Sequence, residues 1–325
     1  MRSTYRGREV APARTDNRDE MTLRRCTATA LVVPAVALAG CGGHASAPAG
    51  PAASPDLILF SAGGPGGVDD LYVVHSDGSG VRRLTRNPAR EFTASWSPHR
   101  RRIVYRFQTG SDDTSEIYVA DADGSHARAL THDGVGDWAP ALSPDGTRIA
   151  FASGGDPGGF GEIYIMNLDG SGLRRLTRNT DIDEYPAWSP DGRRIVFSST
   201  AGVEFSGESR ALWVMDADGT HLRRLTRGGY DMRPAWSPDG RRIAFESNRG
   251  ASPGLPRTIW VMNADGTHKR RIIHSAGEHP AWSPDGTRIA FAAYPRGIGI
   301  VAADGSGRVR VIAAQVGAAS FPAWG

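Results

Sequence analysis

Acidic and aromatic side chains recur at one point of a repeating pattern in this sequence. They are Glu91-Phe92, Asp137-Trp138, Asp183-Glu184-Tyr185, Asp231-Met232-Arg233, Glu278-His279 and Ser320-Phe321. Gathered at one mouth, they would make an acidic and aromatic funnel with one Arg and one His. Such a funnel suits docking of a peptide segment or a small polar ligand. Its carboxylates could also gather a divalent cation, because hard cations take oxygen ligands; no metal and no other cofactor is assigned. Like charges that close raise one another's carboxyl pKa unless a cation sits between them, and Arg233 is the internal candidate for that cation.

Signatures of covalent or metal-assisted catalysis are sparse. There is no Gly-x-Ser-x-Gly elbow, no His-Glu-x-x-His and no phosphate-binding glycine loop opening a helix. His75, His126, His221 and His268 sit at or beside Asp-Gly turns and share in the repeat, so they read as turn residues. Only His279 falls in the funnel group. Beside Glu278 it has the composition of a general base, but one rim histidine is more simply a solvated or satisfied side chain. No catalytic residue is assigned.

The chain has 325 residues, with 41 glycines and 21 prolines. That turn-rich composition disfavours a helix bundle and favours many short strands. No apolar run is long enough for an ordinary membrane-spanning helix. The net charge is +3, and residues 1–40, with seven arginines and four acids, carry all of it. The remaining body is neutral. Non-specific nucleic-acid binding needs a basic surface, so no nucleic-acid partner is expected.

Positioning the funnel residues is the work of a repeat. Ser-Pro-Asp-Gly occurs at Ser143, Ser189, Ser237 and Ser283, with a degenerate copy at Ser97, at spacings of 46, 46, 48 and 46 residues. Asp-Gly recurs at Asp77, Asp123, Asp169, Asp218, Asp265 and Asp304. Each copy holds four strand-like runs, A to D, which is the signature of a propeller blade. One large ring recurs per strand: Trp96, Trp188, Trp236, Trp282 and Trp324 on A; Phe60, Tyr105, Phe151, Phe197, Phe245 and Phe291 on B; Tyr72, Tyr118, Tyr164, Trp213 and Trp260 on C. Rings in register with strands read as packing between blades. Paired arginines on the D runs read as charge that protects an outer edge. The first copy starts at its B run (Leu57-Ile58-Leu59-Phe60) and the last copy ends on an A run (Pro322-Ala323-Trp324), so the two fragments complete one blade. The expected fold is all-β: a six-bladed β-propeller of four-stranded antiparallel blades, its ring closed by the C-terminal strand on the N-terminal blade.

At residues 163–192 the pattern Ile-Tyr-Ile-Met-Asn-Leu-Asp-Gly, then Leu-Thr, then Pro-Ala-Trp-Ser-Pro-Asp-Gly resembles the WD-type repeat of TolB-like propellers. The resemblance covers about residues 56–325. It implies the propeller fold; for function it allows docking platforms, lyases and accessory domains of peptidases. The turns on one face of such a ring are uniform. The connections on the other vary (108–115, 154–161, 200–210, 248–257), and variable loops on a rigid scaffold carry specificity. The expected function is therefore non-enzymatic docking, at the funnel, of an envelope protein or peptide, or of a small polar ligand, by a monomer. The alternative is a lyase or hydrolase acting on an envelope or extracellular polysaccharide.

The N-terminal segment reads as an address. Met21-Thr22-Leu23-Arg24-Arg25 gives a positive start, followed by a short apolar run and Leu38-Ala39-Gly40-Cys41. That tetrad resembles the bacterial lipobox, which implies cleavage before Cys41 and a lipid on its sulfur. The expected organisation is 1–40 as extension and lipoprotein signal peptide, with Met21 an alternative start, 41–55 as a lipid-anchored flexible tether, and 56–325 as the propeller. The protein is then extracytoplasmic and bound to a bacterial membrane. Cys41→Ser should release it from the membrane fraction; unchanged membrane association of that variant would overturn the anchor.

Overall fold

The computed structural model describes residues 56–63, 68–110, 114–155, 161–202, 209–249 and 256–325. The signal-like segment, Cys41 and the tether lie outside them. Six four-stranded antiparallel sheets stand side by side in a ring. Blade 1 combines Ala319–Trp324 with Leu57–Gly63, Asp69–His75 and Arg82–Arg83. Blade 2 runs Arg90–Trp96, Arg102–Gln108, Ser115–Asp121, Arg128–Ala129. Blade 3 runs Asp137–Leu142, Arg148–Ser153, Glu162–Asn167, Arg174–Arg175. Blade 4 runs Asp183–Trp188, Arg194–Ser199, Ala211–Asp216, Arg223–Arg224. Blade 5 runs Asp231–Trp236, Arg242–Ser247, Thr258–Asn263, Arg270–Arg271. Blade 6 runs Gly277–Trp282, Arg288–Ala293, Ile298–Ala302, Arg310–Ile312.

Each second strand is covered on both faces by neighbouring blades, so its sequence is a continuous apolar run instead of an alternation. Tyr105, Phe60, Phe151, Phe197, Phe245 and Phe291 are all fully buried. Each lies directly opposite a third-strand residue: Phe60 opposite Tyr72, Tyr105 opposite Tyr118, Phe151 opposite Tyr164, Phe197 opposite Trp213, Phe245 opposite Trp260. Such cross-strand aromatic pairs stabilise a sheet by up to about 1 kcal/mol each. Blade 6 has Gly299 in that place. A Cβ there would stand 2.4 Å from the Phe291 ring, so the ring lies over bare backbone.

The repeat motifs act as fasteners. In Ser-Pro-Asp-Gly turns the serine hydroxyl donates to the aspartate (Ser143 Oγ to Asp145 Oδ1, 2.5 Å) and accepts from the amide that opens the next strand (Arg148 N–H, 2.9 Å). The turn glycine has positive φ, +71° at Gly146, and faces the preceding blade's turn, where a Cβ would lie 3.0 Å from Pro98. In the Leu-Thr motif the threonine hydroxyl extends the outer ladder by accepting from the third strand: Thr85 from Leu71 N–H at 2.9 Å and Thr177 from Ile163 N–H at 2.9 Å. First-strand tryptophans clasp the preceding blade. Arg148 lies 4.7 Å over Trp188, Arg194 4.8 Å over Trp236, Arg242 4.6 Å over Trp282 and Arg288 4.8 Å over Trp324. Paired arginines on the outer strands do more than guard an edge. Arg174 donates to the Asp218 carbonyl (2.9 Å) and Arg223 to the Asp265 carbonyl (3.1 Å), each in the following blade's turn.

Closure follows the expected plan. Ile58 pairs with Trp324 and Leu59 with Ala323, and Ala319–Trp324 becomes the innermost strand of blade 1. Removing residues 322–325 strips that strand of Trp324 and opens the ring. The variant should lose about 3–5 kcal/mol in urea denaturation; an unchanged midpoint would show that closure does not depend on this strand.

Candidate functional site

Every first strand carries a break in its ladder where it nears the axis, and a β-bulge re-aims side chains. The register shifts between Phe92 and Ser95, Trp138 and Ala141, Glu184 and Ala187, Met232 and Ala235, and Glu278 and Ala281, with a matching shift at Leu59/Ser61 where blade 1 closes. At each break one residue is left-handed: Thr93 (φ 53°), Ala139 (54°), Tyr185 (54°), Arg233 (50°), His279 (56°) and Phe321 (51°). None is glycine. Five of them precede a proline, which also steers its predecessor away from helical backbone. The following residue is Pro140, Pro186, Pro234, Pro280 or Pro322, with Ala94 in the first copy. Proline donates nothing to a ladder and so fits a break in one.

These residues and the ones that follow them line a pocket of about 140 Å³ where the six inner strands converge. The pocket is lopsided. Thr93 and Ala139 leave one side small, while Tyr185, Arg233, His279 and Phe321 fill the other. Arg233 donates to Glu246 Oε1 (2.5 Å) and to the Tyr185 hydroxyl (3.1 Å), and its guanidinium lies 4.5 Å from the Tyr185 ring centre. Burial works against its charge, but Glu246 more than compensates, so the guanidinium stays protonated. Glu246 comes from the second strand of blade 5 and is fully buried. It also meets Arg257 (3.3 Å) and accepts the His279 N–H (3.1 Å). Arg257 continues to Glu278 at 3.0 Å, and Tyr294 donates to the same carboxylate at 3.1 Å.

His279 is buried, neither ring nitrogen makes a hydrogen bond among the described residues, and its ring lies 3.8 Å from that of Phe321. Burial, then Arg233 and Arg257, hold its pKa well below the ordinary imidazole range. The imidazole is neutral, and Glu278 bonds to Arg257 and Tyr294 instead of to it. Glu246, Glu278 and His279 do offer ligand atoms within 4.8 Å of one another. Both carboxylates already have arginine partners, however, so a cation there would compete with them.

The residues grouped in the sequence separate into three positions. Tyr185, Arg233, His279 and Phe321 reach the axial pocket. Phe92, Trp138, Glu184 and Glu278 stand one residue earlier and are half-buried. Phe92 stacks on Phe321 (6.1 Å) beneath Arg106 (4.7 Å), and Glu184 faces Arg210 at 4.0 Å. Glu91, Asp137, Asp183 and Asp231 stand one earlier again. Here the expected acidic mouth is corrected: all four are buried and none lines the pocket. They point into the joints between blades. Asn87 donates to Glu91 (2.6 Å), Asn179 to Asp183 (2.9 Å) and Ser247 to Asp231 (2.6 Å), while Arg249 pairs with Asp231. Thr93, Ala139, Glu246 and Arg257 were not singled out in the sequence. For the first two the signal was available, as the residue two places after each acid. Much of the variable connections (residues 111–113, 156–160, 203–208 and 250–255) lies outside the described residues.

Burial, with the Asp70 charge adding to it, pushes the Glu91 carboxyl up to about 7, and burial does the same for Asp137. A carboxyl that holds its proton more tightly when folded stabilises the fold at low pH. That contribution is lost as pH rises through about 7. Stability should therefore fall from the ordinary glutamate pKa of 4.5 up to about pH 7 and level off above it. Glu91→Gln should flatten the slope in urea melts run in chelator; an unaltered slope would assign the dependence to other groups.

Comparison with known proteins fits this geometry. The model of the TolB β-propeller domain matches residues 136–204 and 202–293. No curated protein matches. Among solved structures, TolB from Acinetobacter baumannii superposes with a TM-score of 0.68 at 23% identity, over 83% of this chain and 66% of that one. A protein assigned as TolB from Agrobacterium tumefaciens gives 0.62 at 24% identity, over 79% of this chain and 87% of that one. An oligogalacturonate lyase in complex with manganese gives 0.55 at 16% identity, over 80% and 74%. With the repeat, the closed ring of six blades and the family match in agreement, the chain is a TolB-like β-propeller protein.

Proposed function

We propose that this protein is a non-enzymatic binding propeller of the bacterial envelope, held to a membrane through Cys41, that docks a protein or peptide segment in its axial pocket. One observation carries the reading. All six axial residues are held in left-handed backbone although none is glycine, a conformation that costs an L-residue roughly 1–2 kcal/mol. Strain of that kind persists where it serves a site. Here it presents six different side chains to one small volume. The volume offers the aromatic faces of Tyr185 and Phe321, a neutral imidazole and a guanidinium with its counter-charge in place, and a small side at Thr93 and Ala139 through which a segment can enter. A peptide with an aromatic or amide-bearing tip suits that lining better than a bare ion does. A small polar ligand of the same chemistry would use the same groups.

The alternative reading, action on an acidic polysaccharide, draws on two fold neighbours that are oligogalacturonate lyases. Its one candidate base is His279. A photo-crosslinking amino acid at Thr93 should capture a partner in cells, and the same group at exposed Leu222 on an outer edge should not. Tyr185→Ala should lose the crosslink. Equal capture from both positions would reject axial docking. Turnover of oligogalacturonate that disappears in His279→Gln would favour the lyase reading instead.

A further inference from the structure

The blades repeat, so each joint between them serves as a control for the others. Between blades 3 and 4, two buried acids face each other across the joint, Glu162 and Asp183. Besides Thr177, which donates to Glu162, two residues hold them. Arg175 donates to Glu162 at 2.8 Å, and Asn179 donates through its backbone to Glu162 (3.0 Å) and through its side chain to Asp183 (2.9 Å). The joint between blades 1 and 2 is built the same way: Arg83 meets Asp70 at 2.7 Å, and Asn87 donates to Glu91 at 2.6 Å. Between blades 4 and 5 the one acid, Asp231, is paired with Arg249. At the last two joints Gly277 and Ala319 stand where the acid would be.

The joint between blades 2 and 3 keeps the acids and loses both donors. Glu116 and Asp137 occupy the acid positions. Ala129 stands where Arg83 and Arg175 stand, and Asp133 stands where Asn87 and Asn179 stand. A cation has been removed and a third carboxylate added. Oxygens of Glu116, Asp133 and Asp137 lie within 4.8 Å of one another. Asp137 is fully buried, and neither of its carboxylate oxygens completes a hydrogen bond among the described residues. Two hydroxyls stand beside it, Ser153 and Thr131, and Thr131 Oγ1 donates to Glu116 at 2.5 Å. Asp133 and Glu116, both of the same sign as Asp137, are the charges that act on it most strongly among the described residues. Among the described residues no arginine or lysine pairs with these three carboxylates, and a buried charge needs a partner.

We propose that Glu116, Asp133 and Asp137 form a binding site for a hard divalent cation of the calcium type, which fills at this joint the role that Arg175 fills at the next. The chemistry of the donors sets the class. All three side chains offer oxygen, neither cysteine nor histidine takes part, and calcium accepts such a set with water completing six to eight ligands. The site is separate from the axial pocket and does not rest on the docking proposal. Its connection to the axis is through the chain: Asp137 stands two residues before Ala139, so the ion would fix the start of the strand that carries the small side of the pocket.

The test uses the full-length protein stripped with chelator and titrated with calcium chloride by calorimetry. Uptake of one ion is expected, with a dissociation constant between about 10⁻⁵ and 10⁻³ M. A saturating excess should raise the melting temperature by roughly 5 °C. Asp133→Asn, which restores the residue of the neighbouring joints at an exposed position, should weaken uptake at least tenfold. Ala129→Arg should abolish it and melt no lower than the metal-free wild type. Three results would overturn the proposal: no heat and no melting shift at about 10 mM calcium, uptake unchanged in Asp133→Asn, or uptake lost in His279→Gln, which would place the ion in the axial pocket. If Ala129→Arg fails to fold, the Asp133→Asn titration still decides.

Discussion

A β-ladder alternates its side chains between the two faces of a sheet, and so cannot by itself aim one side chain per blade down a shared axis. The inner strands of this ring meet that constraint by breaking the ladder. Each gives up regular pairing for about two residues, takes one of them into left-handed backbone and resumes against the same neighbour. Everything at the candidate site follows from the break. The residue at it faces the axis, the one before it sits at the lip, and the one before that is buried in the joint. A shift of one residue would exchange these environments and bury Arg233 where Met232 now lies.

The joints show how the same framework accommodates opposite chemistries. On one side of the ring, carboxylates are buried against arginine and asparagine, and one joint gathers three acids. On the other, Gly277, Ile298 and Ala319 make the equivalent volume apolar. Removing one partner of a buried ion pair costs several kcal/mol, whereas replacing the whole set with apolar groups can be neutral. That difference explains why the acids at the other joints are paired or replaced by apolar groups, and why the joint that keeps its acids without those partners is informative. The axial cluster obeys the same rule: Arg233, Glu246, Arg257 and Glu278 alternate in sign and neutralise one another.

Fold was legible because it is written six times. The Ser-Pro-Asp-Gly spacing located the turns, the ring-bearing positions located the strands, and the split copy at Leu57 and Trp324 foretold closure. The candidate site was only partly legible, for a reason of phase. Acids and aromatics catch the eye as a group, but neighbouring residues on a bulged strand point to different places, and composition carries no phase. Glu246 was hidden for another reason. It lies in a second strand whose sequence, Arg-Ile-Ala-Phe-Glu-Ser, reads as one more buried core segment, and only the fold brings it against Arg233. Arg257 has a counterpart in Arg210 of blade 4, which faces Glu184 as Arg257 faces Glu278, but each follows a variable connection that hides the shared position in the sequence.

The arginine–tryptophan clasps have an uneven distribution. They close the joints entered by Trp188, Trp236, Trp282 and Trp324. At the two remaining joints one half is missing. Leu57, packed in one cluster with Trp96, stands where the arginine would be, and Leu142 stands where the tryptophan opposite Arg102 would be. Those joints flank blade 2, next to the small axial residues Thr93 and Ala139 and to the three-acid cluster. The ring is therefore mechanically anisotropic, stiff around blades 4 to 6 and compliant along one arc. A load applied at the axis would be taken up there first, by blade 2 tilting between its neighbours.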